Sequence, residues 1–141
     1  MGYGVPAAVA AKAVRPERPV LCFAGDGDFL MSGQELATAM QYELPIIVLV
    51  VNNGMYGTIR MHQERQYPGR VVGTDLVNPD FAAYARAFGA HGATVTETAQ
   101  FAGALEAALG AGTSALIELR IDPEAINPRT TLTKLRADSQ R

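Results

Sequence analysis

The stretch PVLCFAGDGDF at residues 19–29 ends an apolar run in an aspartate flanked by glycines, and PIIVLVVNNGMYG at 45–57 ends a second run in paired asparagines. Short, uninterrupted apolar runs bounded by Gly, Asp and Asn read as strands buried on both faces, the kind found in parallel sheets. Between them, SGQELATAMQYE (32–43) places Leu36, Ala39 and Met40 on one helical face, behind a cap-like Ser32 with Glu35 three residues later. Strand, helix, strand is the unit of a parallel sheet wrapped by crossovers, and ligands of such sheets bind beyond the carboxyl ends of the strands. Both motifs stand at carboxyl ends.

The remaining sequence extends this alternation. PAAVAAKAV (6–14) is alanine-rich and predicts a helix, and YGTIRMHQERQY (56–67) a helix start running into a loop. NPDFAAYARAFG (78–89) predicts a helix with Asn78 as cap, Pro79 at its first position and Gly89 as its stop. HGATVT (91–96) reads as a short strand, AQFAGALEAALGAG (99–112) as a helix and SALIELRI (114–121) as a last strand. The expected fold is α/β: an open, mostly parallel sheet over residues 1–122 with helices on both faces. Residues 123–141, polar and containing Pro123 and Pro128, are expected to form an irregular tail.

Composition narrows the function classes. The chain has 141 residues, 48% apolar and 18% charged, which suits one compact domain. Its net charge of −2 and lack of a basic stripe argue against nucleic acid as a partner. The apolar runs are too short to cross a bilayer, and no basic segment precedes an apolar one at the N-terminus, so neither membrane nor export is expected. The one cysteine, Cys22, lies inside a predicted strand and offers neither a disulfide nor a thiolate cluster. The expected compartment is the cytoplasm.

Taken singly, each motif reads equally well as a tight turn, since Gly accepts positive φ and Asp and Asn favour turns. A dinucleotide fingerprint fails twice: Leu30 stands where a third glycine belongs, and the second strand ends in Asn52 and Asn53 rather than an acid. No glycine loop is followed by a phosphate-binding lysine. A magnesium–diphosphate site fits better, because magnesium takes hard oxygen ligands. Asp26 offers a charged oxygen, Asn53 a neutral one and the following turn a carbonyl, while the backbone N–H groups of Gly27, Asp28 and the MYG turn would face phosphates.

GDG and NN, with Asp26 and Asn53 27 positions apart, resemble the thiamine diphosphate-binding signature. MGYGVPAAVAAK (1–12), GDGDFLMSGQELATA (25–39), LPIIVLVVNNGMYG (44–57) and NPDFAAYARAFGA (78–90) extend the resemblance, which is to the pyrophosphate domain of the acetolactate synthase and 2-oxo acid decarboxylase family. It implies Asp26, the Asn53 side chain and the Met55 carbonyl as magnesium ligands. Gly25, Gly27, Asp28, Tyr56 and Gly57 would lie along the diphosphate, Met1 beneath the thiamine, and the Gly2 backbone beside the aminopyrimidine. The alternative for Met1 is a frayed initiator.

The same resemblance implies that the chain holds half of an active site. The family's activating glutamate comes from a pyrimidine-binding domain across a subunit interface, and nothing here resembles that domain. Glu35 and Glu43 read as a helix cap and an exposed charge. The chain is therefore expected to be a fragment or one subunit of a split enzyme, inactive alone and without a catalytic residue of its own. It would form a homo-oligomer and act on a 2-oxo acid such as pyruvate; the alternatives are a non-catalytic module needing a partner chain and a generic nucleotide-binding domain. His62, nine positions after Asn53, stands where biosynthetic acetolactate synthases carry a tryptophan, and is read either as a substrate contact or as a loop histidine. Residues 63–76 are expected to be mobile without cofactor, and His91 is given no role.

Overall fold

A computed structural model describes residues 1–140. Four strands, β1 (Leu21–Gly25), β2 (Ile47–Asn52), β3 (His91–Val95) and β4 (Ala115–Arg120), form a wholly parallel sheet in the order β1-β2-β4-β3. The helices are α1 (Gly4–Val14), the single turn α2 (Asp26–Phe29), α3 (Leu36–Gln41), α4 (Gly57–Gln66), α5 (Phe81–Ala87), α6 (Phe101–Gly110) and α7 (Leu132–Ser139). None of them is long and apolar enough to cross a membrane.

Alternation along the strands divides the core into two layers. Cys22, Ala24, Val48, Val50 and Leu116 face one side, where Val5 and Ala8 of α1, Leu36 and Ala39 of α3, and Phe81 and Ala85 of α5 pack against them. Phe29 locks this layer, its ring meeting Phe81 edge-on with centroids 5.6 Å apart. Ile47, Leu49, Ala115 and Ile117 face the other side, beneath Ala108, Phe101 and Leu105 of α6. Leu21 and Phe23 pair in register with Ile47 and Leu49 and share that second face, yet Phe23 is 69% exposed. No helix of the described residues lies over them.

The expected α/β sheet with helices on both faces is the one observed; four local expectations are not, the first being that the segment after the MYG turn continues as helix α4 to Gln66 instead of running into a loop. Ser32 caps nothing: its hydroxyl is buried without a partner, residues Gly33–Glu35 form a 3₁₀ turn, and Glu35 accepts from the Thr38 hydroxyl at 2.7 Å. Asn78 does not cap α5 either, because Asp80 accepts the Ala83 N–H at 2.8 Å and its amide is engaged elsewhere. The tail after Asp122 is ordered rather than irregular. Strands β5 (Ala125–Asn127) and β6 (Thr130–Thr131) form a small antiparallel ribbon, with Pro128 in its turn. Thr131 then caps α7, accepting the Lys134 N–H, and Leu132 is buried. The prolines punctuate this ribbon instead of abolishing it.

Helix α7 is tied back to α4. Glu64, fully buried, takes both Arg136 nitrogens Nε and Nη2, the Arg60 Nε at 3.0 Å and the Gly69 N–H at 2.9 Å. The Arg136 guanidinium outweighs the cost of burial and holds the Glu64 carboxyl down at about 2.

Candidate functional site

The neighbouring strands β1 and β2 run in register from Leu21↔Ile47 to Gly25↔Val51, so their carboxyl ends bring the two motifs side by side. Asp26, 2% exposed, turns its carboxylate inward at the start of α2. Its Oδ1 accepts the Gly27 N–H at 2.9 Å, while Oδ2 accepts the Gly54 N–H at 2.9 Å and Asn78 Nδ2 at 2.7 Å. Gly54 turns at φ +71°, a left-handed conformation that a side chain disfavours, and thereby points its N–H back at Asp26.

The paired asparagines divide their work. Asn53 Oδ1 accepts the Met55 N–H at 3.2 Å, and the Met55 carbonyl accepts the Gly57 N–H at 2.9 Å. Asn52 looks into the sheet. Its Nδ2 donates to Glu118 on β4 at 2.6 Å, and its Oδ1 accepts from Gly54 N–H at 3.0 Å and Asn78 Nδ2 at 2.9 Å. Glu118, 1% exposed, also accepts from the Thr94 hydroxyl at 3.0 Å and Arg120 Nε at 3.2 Å.

Two adjoining hollows open over these residues. The larger, about 330 Å³, is walled by Asp26, Asn53, Met55, Thr58, Met61 and Ile126, and the smaller, about 200 Å³, by Met1, Gly27, Asp28 and Tyr56. Gly25, Asp26, Met55 and Gly57 border both, so together they form one cleft. Two glycines on its walls have no room for a Cβ: at residue 27 it would lie 2.3 Å from Tyr56 Cε1, and at residue 57 it would lie 2.7 Å from Asn53 Nδ2. The backbone is thus bare where it meets the cleft.

The three expected metal ligands, Asp26, Asn53 and Met55, border the same hollow. Among the described residues no group of three His, Cys, Asp or Glu side chains forms a competing metal cluster. Met1 is exposed on the lip of the smaller hollow, and the Gly2 N–H donates to the Asp28 carboxylate, which points that side chain toward the N-terminal segment. The same carboxylate joins burial in raising the Cys22 thiol, burial being the larger cause. His62 is exposed on α4 and borders neither hollow; Thr58 and Met61 take the wall positions of that helix. Glu35 and Glu43 border neither as well.

Four contributors escaped the sequence reading. Thr58 and Met61 had a legible signal, the i, i+3 spacing just after the MYG turn. Asn78 was masked by its resemblance to a helix cap, though Asp80 offered a rival cap two residues on. Ile126 gave none, since only the folded ribbon brings it to the cleft.

Residues 1–119 match the family described as "Thiamine pyrophosphate enzyme, C-terminal TPP binding domain". The chain is 42% identical over 123 residues to the acetolactate synthase large subunit of Parasynechococcus marenigrum, covering 86% of this chain and 20% of that protein. It is 39% identical over 123 residues to the acetolactate synthase isozyme 2 large subunit of Escherichia coli, covering 86% and 22%. Its fold superimposes on the thiamine diphosphate-dependent 4-hydroxybenzoylformate decarboxylase of Rhodococcus jostii with a TM-score of 0.81 at 34% identity, over 86% of this chain and 23% of that one. The described structure thus corresponds to a part of each relative, of which the chain spans 20%, 22% and 23%. With a match that runs from residue 1 to residue 119, the chain belongs to the thiamine pyrophosphate enzymes, as a C-terminal TPP-binding domain.

Proposed function

We propose that the cleft binds thiamine diphosphate through a magnesium ion and serves a 2-oxo acid carboligase or decarboxylase of the acetolactate synthase type. The observation that carries this reading is the meeting of Asp26, Asn53 and Met55 on one wall at the ends of adjacent strands. A carboxylate, an amide oxygen and a backbone carbonyl are the hard donors magnesium prefers. Gly27 and Gly57 let the backbone approach a diphosphate closely, and the α4 N-terminus beside Gly57 favours negative charge.

Bound thiamine diphosphate supplies the carbanion chemistry that breaks the bond beside a 2-oxo group. The chain's own residues bind and orient. Asp26 and Asn53 fix the charged end, Met1 borders the outer hollow where the thiamine rings would rest, and Thr58 and Met61 shape the space beyond. Among the described residues no glutamate borders the cleft, so the proton-moving carboxylate is assigned to a pyrimidine-binding domain or subunit outside them. The uncovered Leu21–Phe23 face suits packing against such a partner or a second copy. We assign the assembly to the cytoplasm and a small 2-oxo acid such as pyruvate to its substrate position.

Calorimetry tests the reading. The chain is expected to bind thiamine diphosphate with magnesium in preference to NAD or ATP, and Asp26→Ala to abolish that binding. Equal binding by Asp26→Ala and wild type would remove the metal assignment. Binding only in the presence of a glutamate-bearing partner chain would favour the second reading, a module that is incomplete alone.

A further inference from the structure

We infer that Asn78 is a positioning residue for the Asp26 carboxylate, set in its orientation by an amide relay that begins at Glu118. The inference rests on the reading of Asp26 as a cation ligand. Glu118 already receives the Thr94 hydroxyl and the Arg120 guanidinium, so toward Asn52 it offers only acceptor oxygens. Asn52 must therefore present Nδ2 to Glu118, at 2.6 Å, which leaves its Oδ1 facing Asn78. Asn78 must in turn present its NH₂, one hydrogen for Asn52 Oδ1 at 2.9 Å and one for Asp26 Oδ2 at 2.7 Å.

This polarity has a visible cost. Asn78 Oδ1 is buried without a hydrogen-bond partner among the described residues. An unpaired acceptor is retained only where the orientation that strands it is worth more elsewhere. Here it fixes Oδ2 of Asp26 between two donors, the Gly54 N–H and the Asn78 amide. Oδ1, which meets only the adjacent Gly27 N–H, is left as the oxygen for a cation. The relay spans four segments, β4, β2, the loop before α5 and the start of α2, and touches the cleft only at its last member.

The test titrates Mn²⁺ into the chain with thiamine diphosphate, followed by electron paramagnetic resonance, in wild type, Asn78→Ala, Asn78→Asp and Glu118→Gln. Asn78→Ala and Asn78→Asp are expected to weaken Mn²⁺ binding at least about tenfold, the usual loss when the partner of a ligand is removed. Glu118→Gln is expected to stay within about twofold, because its carbonyl still accepts from Asn52 and its amide donates to the Thr94 hydroxyl. The second readout needs no ligand: the Asn78 side-chain NH₂ should exchange slowly in nitrogen-15 spectra of wild type and of Glu118→Gln. Wild-type-like Mn²⁺ affinity in both Asn78 variants, a tenfold loss in Glu118→Gln, or fast exchange of the Asn78 amide would each overturn the relay. Absence of Mn²⁺ binding by wild type with a protected amide would instead overturn the cation reading, and the positioning role with it.

Discussion

The Tyr56 ring occupies the space that a Cβ on residue 27 would need, with Cε1 2.3 Å and Cδ1 2.8 Å from that position. Gly27→Ala must therefore displace the ring, in a spot where the new methyl also crowds Leu76 Cδ1 at 3.1 Å. We expect a loss of about 1–3 kcal/mol in denaturant unfolding, the range for an overpacked site, together with weaker thiamine diphosphate binding. A variant with unchanged midpoint and affinity would show that the ring yields freely.

Gly92 and Gly103 sharpen the contrast. A Cβ at residue 92 meets the Ala82 carbonyl oxygen at 2.2 Å, a backbone atom that cannot swing aside, whereas one at residue 103 meets nothing within 4 Å. Gly92→Ala is expected to cost about 3 kcal/mol or more by forcing β3 and α5 apart. Gly103→Ala, inside α6 on an exposed face, should stabilise by about 0.5–1 kcal/mol. Paired thermal melts would distinguish the two.

Acid stability should depend on Glu64. Its carboxyl is held at about 2 in the folded chain, below its ordinary value of 4.5. The unfolded chain takes up the proton first, so this stabilisation is complete above pH 4.5 and fades as the pH falls toward 2. Glu124, lowered by the Thr133 N–H, adds in the same direction. Arg136→Met should cost about 2 kcal/mol at neutral pH, less than a wholly buried pair because Arg136 is 38% exposed, and should flatten the acid limb of a stability–pH curve. An unchanged limb would sever α7 from this account.

Phe23→Asp should reduce self-association. The residue is 69% exposed beside Leu21 on the edge of the sheet face that no helix of the described residues covers, and light scattering of the wild-type chain should report a larger species than the variant. Equal masses would mean that this face stays bare in solution.

His62→Ala should leave thiamine diphosphate affinity unchanged, since the side chain borders neither hollow. A fall in calorimetric affinity beyond about twofold, more than about 0.4 kcal/mol of binding free energy, would return it to the site.

The sheet and the meeting of Asp26, Asn53 and Met55 at its strand ends were legible because they follow from short-range chemistry. The runs at 19–25 and 45–51 bury both faces, and the Gly, Asp and Asn after them mark where strands must stop. Helix caps were less legible. Ser32 and Asn78 have the right chemistry for caps, but tertiary burial assigns Ser32 to the interior and Asn78 to Asp26. The docking of α7 depends on a partnership 72 positions apart, Glu64 with Arg136, which no local pattern announces. Sequence separation likewise hid Ile126 from the cleft.

The register of β1 on β2 carries a consequence for quality control. Side chains alternate between faces, so a slip of one residue along Leu21↔Ile47 to Gly25↔Val51 would exchange Cys22 and Ala24 for Leu21 and Phe23 in the core and displace Asp26 from Gly54. A misregistered sheet would therefore lose the Asp26–Gly54 hydrogen bond that joins the two strand-end motifs. Any ligand that binds only the aligned sheet would then act as an inspector of assembly, drawing the population by mass action toward correctly paired chains.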